Sequence, residues 1–178
     1  MSEQRTGHRR IDRIRDDGYV RDLDALSLED LRARRDECLA EREYLSLLRR
    51  LVQGRAEILR AELDARDAHE DRGPLVDRLA EILTGDEPQA ASRGEAVRVG
   101  VPEEEMLLAR RRIERLVADA GISDPAALDD AQLASAVDLL ASEEREVSGS
   151  RADVIQVLDV LQDELKRRYR EDPSLVLT

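Results

Sequence analysis

The 178-residue chain has no Phe, no Trp and only three Tyr, so it lacks the large rings that fill the thick core of a globular domain. Its single cysteine, Cys38, excludes an internal disulfide, and no metal-ligand spacing surrounds it or the two histidines, His8 and His69. A reducing compartment fits that usage. No apolar run reaches the roughly 18 residues of a membrane span, and the N-terminus has no apolar signal region, so the chain reads as cytoplasmic and membrane-free. Positive charge is in deficit as well: 41 acids against 29 Lys and Arg give a formal charge of −12. Such a field repels phosphates at long range, which argues against direct DNA or RNA binding and favours a basic partner. No nucleophile and base are spaced for joint work, and the chain is read as not an enzyme.

What is present is Leu, Ala and Val among 39% charged residues, the composition of long helices and coiled coils. The expected fold is all-α, a long antiparallel two-helix coiled coil with an internal duplication and two shorter helices in the connection. Residues 1–24 alternate Arg and Asp around few apolar anchors (Ile11, Ile14, Tyr19, Val20) and read as a flexible tail, or as a segment that orders on a partner. The coiled-coil domain takes residues 25–172, and 173–178 form a C-terminal tail.

Ser27 offers an N-cap oxygen with Glu29 and Asp30 in the first turn, so a helix over about 28–69 is predicted. Leu31, Cys38, Leu45, Val52 and Leu59 then recur every seven residues, a coiled-coil seam. At 1.5 Å per residue this rod is roughly 60 Å long and needs a helical partner. Gly73 and Pro74 restart the chain into a short helix at about 74–84, and Asp86 to Val101 read as a connection. A further helix at about 103–120 carries Arg110, Arg111, Arg112 and Arg115, either a solvated face balanced by Glu103 to Glu105 or an anion contact. Gly121 stops it. Asp129 caps a second rod over about 130–171, with Leu133, Leu140, Val147, Val154 and Leu161 on the same seven-residue spacing.

The two rods repeat each other at a separation of 102 residues. Ser27 falls on Asp129, Glu41 on Glu143, Ser46 on Ser148, Arg49 on Arg151, Glu57 on Asp159 and Glu62 on Glu164. Shared apolar heptads would match anyway, but matched polar positions indicate a duplication. Folded back antiparallel with Val52 level with Val154, the rods bring Arg49 close to Asp159 and Arg151 close to Glu57. Two equivalent composite sites result, each with an Arg and a Ser from one rod and a carboxylate from the other, and with Gln53 or Gln156 nearby. Gly54 and Gly149, inside the rods at a cost of about 1 kcal/mol each, call for close backbone approach or room for a ligand. One reading of these pairs is salt bridges that set register. The other is a ligand with two phosphates and two purine edges, since a carboxylate accepts the paired donors of guanine and Arg forks onto O6 and N7 or onto phosphate.

At these residues the chain resembles the RsiG family of actinobacterial anti-sigma factors, also called aerial mycelium formation proteins, whose motif is E-x3-S-x2-R-x3-Q-x3-D on each helix of an antiparallel coiled coil. The first copy has Ser46, Arg49, Gln53 and Glu57 at that spacing, with Glu43 one residue close and Glu57 in place of Asp. The second has Glu144, Ser148, Arg151 and Asp159 in place, with Gln156 one residue late and Ile155 at its position. The resemblance implies that these ten residues bind a dimer of cyclic di-GMP as a regulatory ligand. It also implies that the liganded protein sequesters a sigma factor of the flagellar or sporulation type and so represses its regulon. In that role Arg49 and Arg151 would contact guanine or phosphate, Ser46 and Ser148 phosphate, and Glu57 and Asp159 guanine edges. The competing reading is a structural coiled-coil adaptor with no small ligand.

Overall fold

A computed structural model describes residues 10–67 and 102–176. The expected short helix at 74–84 and the connection through Val101 lie outside the described residues, as do His8 and His69. The described residues are helical, without strands: α1 is Arg10–Ile14, α2 Leu28–Asp67, α3 Glu103–Asp119 and α4 Asp130–Glu171, with 3-10 turns at Leu23–Ala25, Pro125–Ala127 and Pro173–Val176. This is the all-α architecture that the seven-residue periodicity predicts. No described helix is long and apolar enough to cross a membrane.

Two compact units divide the chain, residues 1–46 with 146–178 and residues 47–145. Both long helices therefore contribute to each unit, α2 dividing between residues 46 and 47 and α4 between residues 145 and 146. In unit 1 the start of α2 runs antiparallel to the end of α4, since Arg32 near the start of α2 donates to the Tyr169 hydroxyl at 3.0 Å while Ser46 meets Arg151. Its core is Leu31, Cys38 and Leu45 of α2 against Val147, Val154, Leu158, Leu161 and Leu165 of α4, with Ile14 of α1 on top. Burial pushes the Cys38 thiol up to about 11, with Glu37 and Glu41 adding to the shift, so it sits in the seam as a small apolar group. Unit 2 joins Leu48, Val52, Ala56 and Leu59 of α2 to Leu133, Ala136 and Leu140 of α4 and to Ala109, Ile113 and Val117 of α3. The heptad positions are thus the buried ones in both units, and the hydrophobic stabilisation of each resides there.

Helix starts follow local chemistry. Ser27 Oγ accepts from the Asp30 amide at 3.0 Å. Asp129 and Gln132 form a reciprocal capping box, the Gln132 amide donating to Asp129 Oδ1 at 2.7 Å and the Asp129 amide to Gln132 Oε1 at 2.9 Å. α3 stops at Gly121, whose φ of 67° suits glycine alone without penalty, and the Ile122 amide returns to the Val117 carbonyl at 3.0 Å.

The segment 1–24 is expected as a flexible tail or as a segment that orders on a partner; of its described residues, those from Arg10 onward are docked on unit 1. Ile14 is 1% exposed, Arg10 pairs with Glu41 at 2.5 Å, Arg15 donates to Ser150 Oγ at 3.0 Å and Asp153 at 2.9 Å, and the Tyr19 hydroxyl donates to Glu37 at 2.8 Å. The physical reason is complementary charge. The Arg residues that look solvated in the sequence meet carboxylates placed along α2 and α4, and one buried Ile anchors them.

The same segment extends the duplication. Arg10-Ile11-Asp12-Arg13-Ile14 stands 102 residues before Arg112-Ile113-Glu114-Arg115-Leu116 of α3. Arg10 holds Glu41 in unit 1, and Arg112 holds Glu143 at 2.6 Å in unit 2. One member of the Arg110 to Arg115 cluster is therefore committed to an internal ion pair. The closing ends also match. In unit 1 Arg168 donates to the carbonyls of Leu26 at 2.8 Å and Leu23 at 2.7 Å and is oriented by Glu164. In unit 2 Arg66 donates to the carbonyls of Leu128 at 2.6 Å and Pro125 at 3.1 Å and is oriented by Glu62. Each unit is a copy of one plan: a short helix, the start of one long helix with the end of the other, and an arginine that ties a helix end to the 3-10 turn beside it.

Candidate functional site

The polar motif lies where the seam residues leave room at its flanks. On α2 the hydroxyl of Ser46 donates to the Arg42 carbonyl one turn back at 2.7 Å, which fixes its rotamer. Its oxygen accepts from Arg151 Nε of α4 at 2.9 Å, within unit 1. That bond uses one of the several N–H donors of the guanidinium fork, which has donors left for a further acceptor. Glu43, in the same unit, lies beside Arg42, whose guanidinium donates to it at 2.8 Å. Ser148 is half-buried on α4, one turn before Arg151.

In unit 2 the carboxylate of Glu144 gathers two motif side chains from α2. Gln53 Nε2 donates to it at 3.2 Å, and the Arg49 guanidinium stands 3.7 Å from the same oxygen. At that distance the Arg49 contact is an ion pair and not a hydrogen bond. Its side chain is 41% exposed, so the pair is screened and adjustable.

The structure thus brings Ser46 to Arg151, and Arg49 and Gln53 to Glu144. These are not the pairs expected from levelling Val52 with Val154, which coupled Arg49 to Asp159 and Arg151 to Glu57. A seven-residue seam fits at more than one level, and the polar contacts inside each unit select a different one. Glu57 of unit 2 and Gln156 and Asp159 of unit 1 are exposed on their helices.

Of the two reasons proposed for the glycines inside the rods, close approach is excluded. A Cβ built on Gly54 or on Gly149 meets nothing within 4 Å, whereas one on Gly18 would meet Asp16 Oδ1 at 2.8 Å. Open space therefore lies at the Cβ positions of Gly54 in unit 2 and of Gly149 in unit 1.

Two residue pairs that support this geometry escape a reading centred on the motif: Arg66 with Arg168, and Arg10 with Arg112. The signal for both is in the sequence, since each pair obeys the same 102-residue separation as the motif. No group of three or more metal-ligating side chains occurs among the described residues.

Arginine, serine, amide and carboxylate side chains placed beside open space on paired helices define an internally duplicated, all-α coiled-coil protein with polar clusters suited to a ligand rich in acceptors and paired donors. Over residues 17–83, a stretch that contains the first motif copy, the chain is similar to the RsiG-like family. No curated protein matches the chain.

Proposed function

We propose that this chain is a cyclic di-GMP-responsive anti-sigma factor that sequesters a flagellar or sporulation-type sigma factor in the cytoplasm and represses its regulon, with no catalytic step of its own. The observation that carries the reading is the clustering of motif side chains around open helix surface. Arg151 is oriented by Ser46 at 2.9 Å, and Glu144 holds Gln53 at 3.2 Å, beside glycines whose missing Cβ leaves room.

Each group has a defined task in this reading. Arg151 and Arg49 fork onto a phosphate or onto guanine O6 and N7. Ser46 and Ser148 reach phosphate oxygens. The exposed Glu57 and Asp159 accept the paired N–H donors of a guanine edge, while Glu43, Glu144, Gln53 and Gln156 frame the ligand. Charge-assisted bonds contribute roughly 1.5–3 kcal/mol each, so several suffice for a nucleotide dimer even on a chain of formal charge −12. That acidity suits a sigma factor, which presents basic surface to DNA.

The ion pair of Arg49 with Glu144 favours a second reading, a structural adaptor in which such pairs only set register. Co-elution with a flagellar-type sigma factor in gel filtration separates the two. The regulator forms a complex whose yield rises with cyclic di-GMP and falls at least tenfold in Arg49→Ala/Arg151→Ala. A complex indifferent to nucleotide and to Arg49→Lys/Arg151→Lys is the adaptor's result.

A further inference from the structure

α3 has two faces of different origin. Its inward face buries Ala109, Ile113 and Val117, and Arg112 pairs with Glu143 of α4 at 2.6 Å. That side carries the 102-residue repeat, with Arg112 and Ile113 falling on Arg10 and Ile11. The outward face does not. Glu104, Leu107, Leu108 and Arg111 fall on Ser2, Arg5, Thr6 and Arg9, so neither the acid nor the leucines are repeated. The packing of unit 2 therefore leaves these outward residues unexplained.

The four residues stand at i, i+3, i+4 and i+7, which places them on one stripe of the helix, and all four are exposed. Leu107 is 46% and Leu108 49% exposed, two of the four large apolar side chains that face solvent among the described residues. Glu104 and Arg111 make no ion pair among the described residues, in contrast to Arg112. The order along the stripe is acid, leucine, leucine, base, and reversed it is its own complement. Against an antiparallel copy, with a twofold axis between Leu107 and Leu108, leucines meet leucines. Each Glu104 then stands opposite the partner's Arg111, about 5 Å along the helix from the axis.

We propose that this stripe of unit 2 is a self-association surface on which two copies of the chain pair α3 against α3, antiparallel. The leucines supply the attraction, since their contact removes apolar area from water. The two ion pairs lie at the rim and add little strength, but they fix the direction. Parallel pairing would set acid on acid and base on base. So small a patch gives a weak, reversible dimer. The proposal goes beyond the regulatory reading and depends neither on cyclic di-GMP nor on a sigma factor.

Sedimentation velocity of the full chain over a range of protein concentrations tests it. The unaltered chain sediments faster as its concentration rises. Arg111→Glu makes the stripe wholly acidic and Glu104→Arg makes it wholly basic, and each weakens self-association at least tenfold at unchanged helical circular dichroism. An equimolar mixture of the two variants forms the dimer again, because each supplies the charge that the other lacks. A sedimentation coefficient that stays constant with concentration overturns the proposal and leaves the stripe to a different protein. Self-association that Arg111→Glu does not weaken overturns it as well, by placing the contact on another face, and so does a mixture that stays monomeric. Should Arg111→Glu lose helicity, Arg111→Gln decides: a weakening of about threefold supports the proposal, and no weakening overturns it.

Discussion

At the scale of single residues, the polar groups inside the seam set the character of the protein. Glu41 is 4% exposed on α2, and its charge is balanced by Arg10. Removing one partner of a buried pair leaves the other uncompensated, at about 3–5 kcal/mol in full burial, and Arg10 is partly solvated, so Arg10→Ala is expected to cost about 2 kcal/mol. Urea unfolding checks it, with Glu41→Gln/Arg10→Ala recovering part of the loss. The closing arginines give a pH signature. Hydrogen bonds from Arg167 first and Arg168 second pull the Glu164 carboxyl down to about 2 from the ordinary glutamate value near 4.5. A depressed carboxylate stabilises the fold fully above its unfolded value and loses that contribution as pH falls toward its folded value. The difference in melting temperature between the unaltered chain and Glu164→Gln should therefore hold steady above pH 5 and shrink between about pH 4.5 and pH 2. A difference constant down to pH 2 contradicts the assignment.

At the scale of elements, much of the layout is written in the period of the apolar residues. Leu31, Cys38 and Leu45, and later Val147, Val154 and Leu161, are buried because a repeat of seven keeps one stripe of a helix on its partner. The capping residues Ser27 and Asp129 are equally legible, since their oxygens have one local use. Register is not. Sliding one heptad past another exchanges Leu for Val at small cost, so nothing apolar decides the level, and the deciding contacts are Ser46 with Arg151 and Gln53 with Glu144. α1 is legible only through the duplication, as Arg10 to Ile14 match Arg112 to Leu116, and the carboxylates its arginines meet, Glu37, Glu41 and Asp153, emerge only in the folded unit. The glycines were half legible, as anomalies whose cause needed coordinates. Because a Cβ at Gly54 or Gly149 meets nothing within 4 Å, Gly54→Ala and Gly149→Ala should each stabilise the helices by about 0.5–1 kcal/mol in urea unfolding. Destabilisation by either would show that the space beside it is filled in solution.

At the scale of the whole molecule, the duplication is the organising fact. The Ser, Arg and acid of the motif, the glutamates Glu41 and Glu62, the short-helix pattern and the closing arginines recur at one separation, and each of the two units repeats the other's plan from within. A duplicated site suits a ligand with twofold character, and the departures between copies, Ile155 against Gln53 and Glu57 against Asp159, leave the two halves chemically unequal. The Arg and Ser framework is common to both. The account therefore rests on ligand binding by that framework, and calorimetric titration of cyclic di-GMP into the full chain tests it most directly, alone and with a flagellar-type sigma factor. The account predicts two or more nucleotides bound per chain, with the heat abolished in an Arg49→Ala/Arg151→Ala variant that keeps its helical circular dichroism. No heat under either condition, or the same heat in the variant, would contradict it and leave the arginines as register contacts.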